Sequence, residues 1–242
     1  MTRGILIAGN ESSLFSAAAA EAVKRVESFA SALIPNRLPL PEGRGSLSPK
    51  AETAGENNGT RGAIPLSWTP ASSISARTLV LAAENRLERI NNAIVICSPP
   101  AVFRTAGTLA PEEVEILVND HIKGWFFLIR ELVLYFRRRG AGSLSLVAPE
   151  IVPKDAWGKN APADPKSPPA DLLGPCAAAS FRAFAQGVLA SSANEPFQTM
   201  GFTTAEAGNE EDFAAWLFKI IDEDAGKNSG RWHKYSKLKL WR

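Results

Sequence analysis

The sequence predicts an α/β protein: a parallel sheet wound in two directions, with helices on both faces, in a single domain. Three observations predict it. Short apolar runs of strand length alternate with stretches of helical periodicity. Several of those runs are apolar throughout, the pattern of strands covered on both faces. The 242 residues, 45% hydrophobic and 21% charged, suit one large core and do not demand two. Sheets of this class bind their ligands at the carboxyl ends of the strands.

The elements follow in order. The run Ile5-Leu6-Ile7-Ala8 reads as a strand, and residues 16–29 as a helix with Ser12 or Ser13 as its N-cap. A second strand is expected over 30–34, stopped by Pro35. Residues 35–62 lack periodicity and are rich in Pro, Gly, Asn and Ser, so they read as a long loop. Residues 63–68 form a third strand and 72–88 a helix. The buried strand 93–97 ends before Pro99 and Pro100.

Residues 111–139 read as one long helix. Pro111 suits its first turn, Glu112 and Glu113 its positive end, and Arg137, Arg138 and Arg139 its negative end before Gly140. "SLSLVAPE" is the next strand, and a second Pro-rich loop spans 153–174. A helix over 177–192, a strand in "FQTMGFT" and a helix over 210–223 complete the pattern, with no internal repeat.

The totals exclude several classes. A net charge of +2 is too small to argue for nucleic acid or an anionic membrane. Two cysteines, Cys97 and Cys176, make no disulfide framework and fit reduced thiols in a cytoplasm. The apolar stretch "GWFFLIRELVLYF" is broken by Arg130 and Glu131 and does not span a bilayer. His121 and His233 stand alone, so no metal-ligand spacing exists. A cytoplasmic protein is expected.

"NRLERINNAIVICSPP", "LAPEEVEILVNDHIKGWFFLIRELVLYFRRRGAGSLSLVAPE" and "AAASFRAFAQGVLASS" follow one another at spacings that resemble the short-chain dehydrogenase/reductase family. The resemblance runs from the first strand to "GRWHKY", where the family has its last strand. It implies a Rossmann-type sheet, an NAD or NADP cofactor, and a dimer or tetramer built on two long helices. Those helices correspond to residues 111–139 and 177–192 here.

The resemblance is strong in layout and poor in chemistry. The family's cofactor loop begins with Thr or Ala and Gly, then carries two further glycines. Ala8 and Gly9 match the start, but Ser13 and Phe15 occupy the other glycine positions. Glycine lets the backbone approach a pyrophosphate, and a benzyl side chain at Phe15 points either into the crevice or at the sheet. Glu11 adds negative charge to the same turn. If a nucleotide bound, Gly9, Ser12, Ser13 and Arg37 would be its contacts, Arg37 standing where an NADP enzyme holds the extra phosphate.

The family's acid/base set is a Tyr, a Lys four positions on, a Ser and an Asn. The Tyr position falls on Pro175 and the Lys position on Ala179. The Ser position falls on Ala148 or Pro149, and the Asn position on His121. Only Tyr135 and Tyr235 are tyrosines, and neither has a Lys four residues later. Asn91-Asn92-Ala93 resembles the family's fourth-strand motif but lies upstream of the place where that motif belongs.

The remaining candidates each have two readings. His121 is a new catalytic group or a structural polar residue. Cys97 is a nucleophile or an inert buried thiol, and Cys176 a reactive thiol or an ordinary helix-start residue. Loss of both sites together reads as a pseudoenzyme that holds no cofactor and acts through assembly or through a partner or ligand, a small-molecule sensor pocket without turnover being a third reading. The alternative is a divergent NAD(P)-dependent oxidoreductase. Trp125, Phe126, Leu132 and Tyr135 are expected to need cover from a second subunit, because the helix is apolar on several sides.

Overall fold

The computed structural model describes residues 3–26, 29–34, 62–149, 171–204, 208–223 and 225–235. Most of the two Pro-rich loops, and Arg37 with them, lie outside this set.

Among the described residues seven strands form one parallel sheet. They are β1 (Ile5–Asn10), β2 (Phe29–Ile34), β3 (Ala63–Leu66), β4 (Asn92–Ile96), β5 (Ser143–Pro149), β6 (Gln198–Thr204) and β7 (Arg231–Lys234), in the order β3-β2-β1-β4-β5-β6-β7. The chain winds outward from β1 to one edge, returns to β4, and winds to the other edge. The switch point lies between β1 and β4, where Gly9 stands opposite Ile96.

Helices cover both faces. On one lie α2 (Ser73–Leu87), α4 (Gly124–Arg139) and α5 (Gly174–Ala190), packed on Leu6, Ala8, Val95 and Leu146. On the other lie α1 (Ser13–Val23) and α6 (Glu210–Asp222), packed on Ile5, Ile7, Ile96 and Phe202. A short α3 (Pro111–Ile116) precedes α4, and α7 (Ala225–Asn228) precedes β7.

The helix starts are set by local chemistry. Ser12 Oγ accepts from Phe15 N at 3.1 Å, so Ser12 is the N-cap of α1. Ser72 does the same for α2 through Ser75 N. Pro111 opens α3, and Glu113 Oε2 accepts from Ala110 N. At the far end of α4, Gly140 takes φ +69°, a left-handed conformation that ends the helix at little cost.

Three sequence expectations need correction. The first helix ends at Val23 rather than continuing to 29, because Phe29 must enter β2 and pair beside β1. The helix after Pro111 is not one α-helix. Residues Leu117–Lys123 form a π-helical turn, in which Gly124 N donates to Asn119 O five residues back. At that point the helix comes close to Pro70: a β carbon on Gly124 would lie 2.5 Å from Pro70 Cβ.

The third correction concerns cover for α4. Trp125 and Leu132 are 0% exposed and Tyr135 is 2% exposed, all within the single chain. Trp125 meets Trp68 and Phe181, and Tyr135 Oη accepts from Ile90 N at 2.9 Å. Only Phe126 of that group stays half-exposed, stacked on Phe184 of α5. No second subunit is needed to dry the other three.

Candidate functional site

The candidate site is the crevice at the carboxyl ends of β1, β4 and β5. β1 runs straight through Gly9 to Asn10, and only Glu11 and Ser12 join it to α1. The family's three glycine positions thus fall on Gly9 within β1 and on Ser13 and Phe15 in the first turn of α1. Gly9 faces α1, and a β carbon there would lie 2.7 Å from Phe15 Cδ2. Phe15 itself is 8% exposed and belongs to the core between the sheet, α1 and α6. The benzyl group therefore points at the sheet and covers Gly9.

The other loop residues are equally engaged. Ser12 is spent on the cap of α1, and Ser13 Oγ donates to Glu210 Oε1 at 3.1 Å. Glu11 is exposed. The backbone hydrogen bonds of Glu210 and Gly208 hold the Glu210 carboxyl below the usual carboxylate range, against a smaller upward push from burial, with Ser13 helping. Both hydroxyls thus already have a partner, Ser12 the backbone of α1 and Ser13 the Glu210 carboxylate.

His121 lies on the π-helical turn and is fully buried. Its Nδ1 is 3.2 Å from Asn10 Nδ2, an amide–imidazole hydrogen bond that ties the end of β1 to the π-helical turn. Sequence reasoning missed Asn10, whose only sign was its place directly after Gly9. Buried Asp120 precedes His121 on the same turn.

The remaining family positions carry no acid or base. Pro149 ends β5 beside Thr204, and Ala148 before it is buried. Pro175 sits in the first turn of α5, and Ala179 is exposed on the same helix. The one charged side chain of α5 is Arg182. It donates to Thr203 Oγ1 at 3.2 Å and lies over the Trp232 ring, so it does not stand in for a lysine.

The start of α5 is closed by Asp171. Its Oδ1 accepts from Val102 N, Leu173 N and Gly174 N at 3.0–3.2 Å. One carboxylate thus caps the helix and stitches it to the segment after β4. Sequence reasoning placed Asp171 inside a loop and gave it no role.

The thiols separate cleanly. Cys97 is buried directly after β4, and burial pushes its thiol pKa far up. Both the burial and the raised pKa favour the inert reading of Cys97 over the nucleophilic one. Cys176 is exposed in the first turn of α5. Asn91 and Asn92 lie at the opposite end of the sheet. Asn91 Oδ1 accepts from Gly4 N, and Asn92 Nδ2 donates to Ser143 Oγ. Among the described residues no cluster of three acidic, His or Cys side chains is placed to hold a metal ion. None of the described helices is long and apolar enough to cross a membrane.

No protein-family model matches the chain, and no curated protein matches it in sequence. Solved structures do match in fold. A short-chain dehydrogenase from Mycobacterium smegmatis superposes with a TM-score of 0.70 at 11% identity, over 98% of this chain and 93% of that one. A short-chain dehydrogenase/reductase from Serratia marcescens gives 0.66 at 9% identity, over 96% and 95%. The fold is that of the short-chain dehydrogenase/reductases, as the motif spacings imply.

Proposed function

We propose that this chain is a non-catalytic protein of the short-chain dehydrogenase/reductase fold, acting through assembly or partner binding without a dinucleotide. The observation that carries the reading is the ring of Phe15 on Gly9. It puts a core side chain where the fold's cofactor enzymes need bare backbone. The family positions for the acid/base set hold Pro175, Ala179, Pro149 and His121, and no Tyr-x-x-x-Lys occurs in the sequence. Loss of one site is compatible with altered chemistry. Loss of both leaves the fold as the retained feature.

The proposed assembly surface is the groove between α4 and α5. It encloses about 360 Å³ and is lined by Val133, Phe184, Val188 and Phe197, with Arg137 and Glu195 at its end. Arg137 Nε donates to Glu195 Oε2 at 2.7 Å. Phe126 and Phe184 continue the apolar strip along the helices. A second copy is the occupant we favour, because one two-fold contact buries the strip on both chains.

A second reading rests on His121. It is a titratable side chain buried at the crevice, on a π-helical turn of the kind frequent at functional sites. In this reading the chain is a divergent NAD(P)-dependent oxidoreductase. Two measurements separate the readings. Titration with NADH and NADPH, followed by nucleotide fluorescence, is expected to give no saturable binding. NAD(P)H consumption on a carbonyl panel is expected to stay at the blank rate. A rate that disappears in His121→Ala is the result that favours the oxidoreductase.

A further inference from the structure

We propose that Glu210 is a built-in anion that shuts the positive end of α1 to phosphate-bearing ligands. The proposal deepens the reading above and rests on it. Phe15 removes the backbone approach at Gly9, whereas Glu210 accounts for charge at the mouth of the helix.

An α-helix start carries partial positive charge and N–H groups without a partner inside the helix, which favour a nearby anion such as a phosphate. In this chain the negative group arrives from within. Ser13, the first residue of α1, donates its hydroxyl proton to Glu210, the first residue of α6 and 197 positions away. The fold creates this contact, since nothing local to either helix requires it. The carboxylate is also held by the backbone hydrogen bonds of Glu210 and Gly208. Gly208 supplies the turn with φ +86°, which favours glycine.

Glu210 is not free to swing away with its helix. α1 and α6 lie side by side on the same face of the sheet. Their far ends are tied by the Arg25–Asp222 ion pair, which Arg3 shares. The groove between them, about 600 Å³, is lined by Ser13, Ser16, Lys24 and three carboxylates, Glu21, Glu210 and Glu211. Lys24 is paired with Glu21 at 2.9 Å. A phosphate entering from this side meets net negative charge.

The test uses inorganic pyrophosphate as the probe, titrated calorimetrically into the wild-type chain and into Glu210→Gln. The substitution keeps the size and removes the charge. A single neighbouring charge near the surface is worth about tenfold in the affinity of a multiply charged anion. The expected result is an affinity about tenfold higher for Glu210→Gln, with the gain lost at high salt. Equal affinities, or no binding to either chain at millimolar pyrophosphate, overturn the proposal. Circular dichroism checks that the variant is folded, and Glu210→Ser replaces it if it is not. NADH binding by the wild-type chain overturns the non-binding reading of the previous section instead. The pyrophosphate difference between the two chains decides the role of Glu210 alone.

Discussion

Phe15 closes on Gly9: a β carbon at Gly9 would stand 2.7 Å from Phe15 Cδ2, inside any real contact distance. The pair explains why glycine stands at position 9, since any side chain there would collide with the Phe15 ring. The bare backbone receives a ring of the chain's own core.

This pairing predicts a coupling. Gly9→Ala forces the Phe15 ring out of place and is expected to cost about 1–3 kcal/mol, the range for overpacking a dense core. Phe15→Ala empties a site that is 8% exposed and is expected to cost about 3 kcal/mol. In the double variant the new methyl group enters the space the ring has left. The two costs therefore add to less than their sum, by about 1 kcal/mol or more. Urea denaturation of the four chains measures the cycle. Strict additivity shows that the two residues do not press on each other.

Thiol chemistry offers a direct check on burial. Cys176 is exposed and Cys97 is buried with its thiol pKa raised. Alkylation of the native protein by iodoacetamide at pH 8 is expected to label Cys176 and to leave Cys97 untouched. Cys97 becomes reactive only after denaturation. Mass spectrometry of the digested protein distinguishes the sites, and early labelling of Cys97 shows that β4 is not covered as described.

Acid stability follows from three carboxylates. Arg137 holds the Glu195 carboxyl below its ordinary value of 4.5, against a smaller push from burial. Burial pushes Glu21 up, but its hydrogen bonds from Lys24 and Arg25 outweigh this and leave it lowered. Glu210 is lowered by the backbone hydrogen bonds around it. A carboxylate whose folded pKa is depressed stabilises the protein above the unfolded value. That stability is lost as pH falls below 4.5 and through the folded values. The wild-type chain is expected to lose stability below pH 4.5, and Glu195→Gln to lose less over the same interval. Thermal melts from pH 7 down to pH 3 check this. Parallel curves contradict the assignment.

The sheet was legible in the sequence because its strands are apolar on both faces and its helices are separated by clear breakers. Ile5 to Ala8 and the run before Pro99 needed no tertiary information. Three features were not legible, each for a physical reason. The π-helical turn at Leu117–Lys123 has no compositional mark. It accompanies the close approach of Gly124 to Pro70, and Pro70 lies far away in the sequence. Helical periodicity shows that a face is apolar but not what covers it, so Trp125 and Tyr135 read as interface when Trp68, Phe181 and Ile90 already cover them. Ser13 and Phe15 in the turn after Gly9 were readable, whereas the presence of Glu210 over Ser13 was not. A contact between helix starts 197 residues apart exists only once the sheet has formed.

That correction changes the assembly test. Tyr135 and Phe126 lie on one helix and now make opposite predictions. Tyr135 is 2% exposed and its hydroxyl accepts from Ile90 N, so Tyr135→Phe leaves a buried N–H without its partner. The expected cost is about 1–3 kcal/mol, with no change in molecular mass. Phe126 is half-exposed and stacks on Phe184 with ring centroids 4.3 Å apart. A charge in Phe126→Glu falls on the strip that a second copy would cover, so it is expected to shift an oligomer toward a mass of 26.0 kDa at small cost to folding. Multi-angle light scattering reads the mass and thermal denaturation reads the fold. The wild-type chain at 26.0 kDa across micromolar concentrations removes the self-assembly proposal. The groove between α4 and α5 then falls to a different partner. If Phe126→Glu unfolds the chain, the stack on Phe184 is core, as Trp125 and Leu132 proved to be.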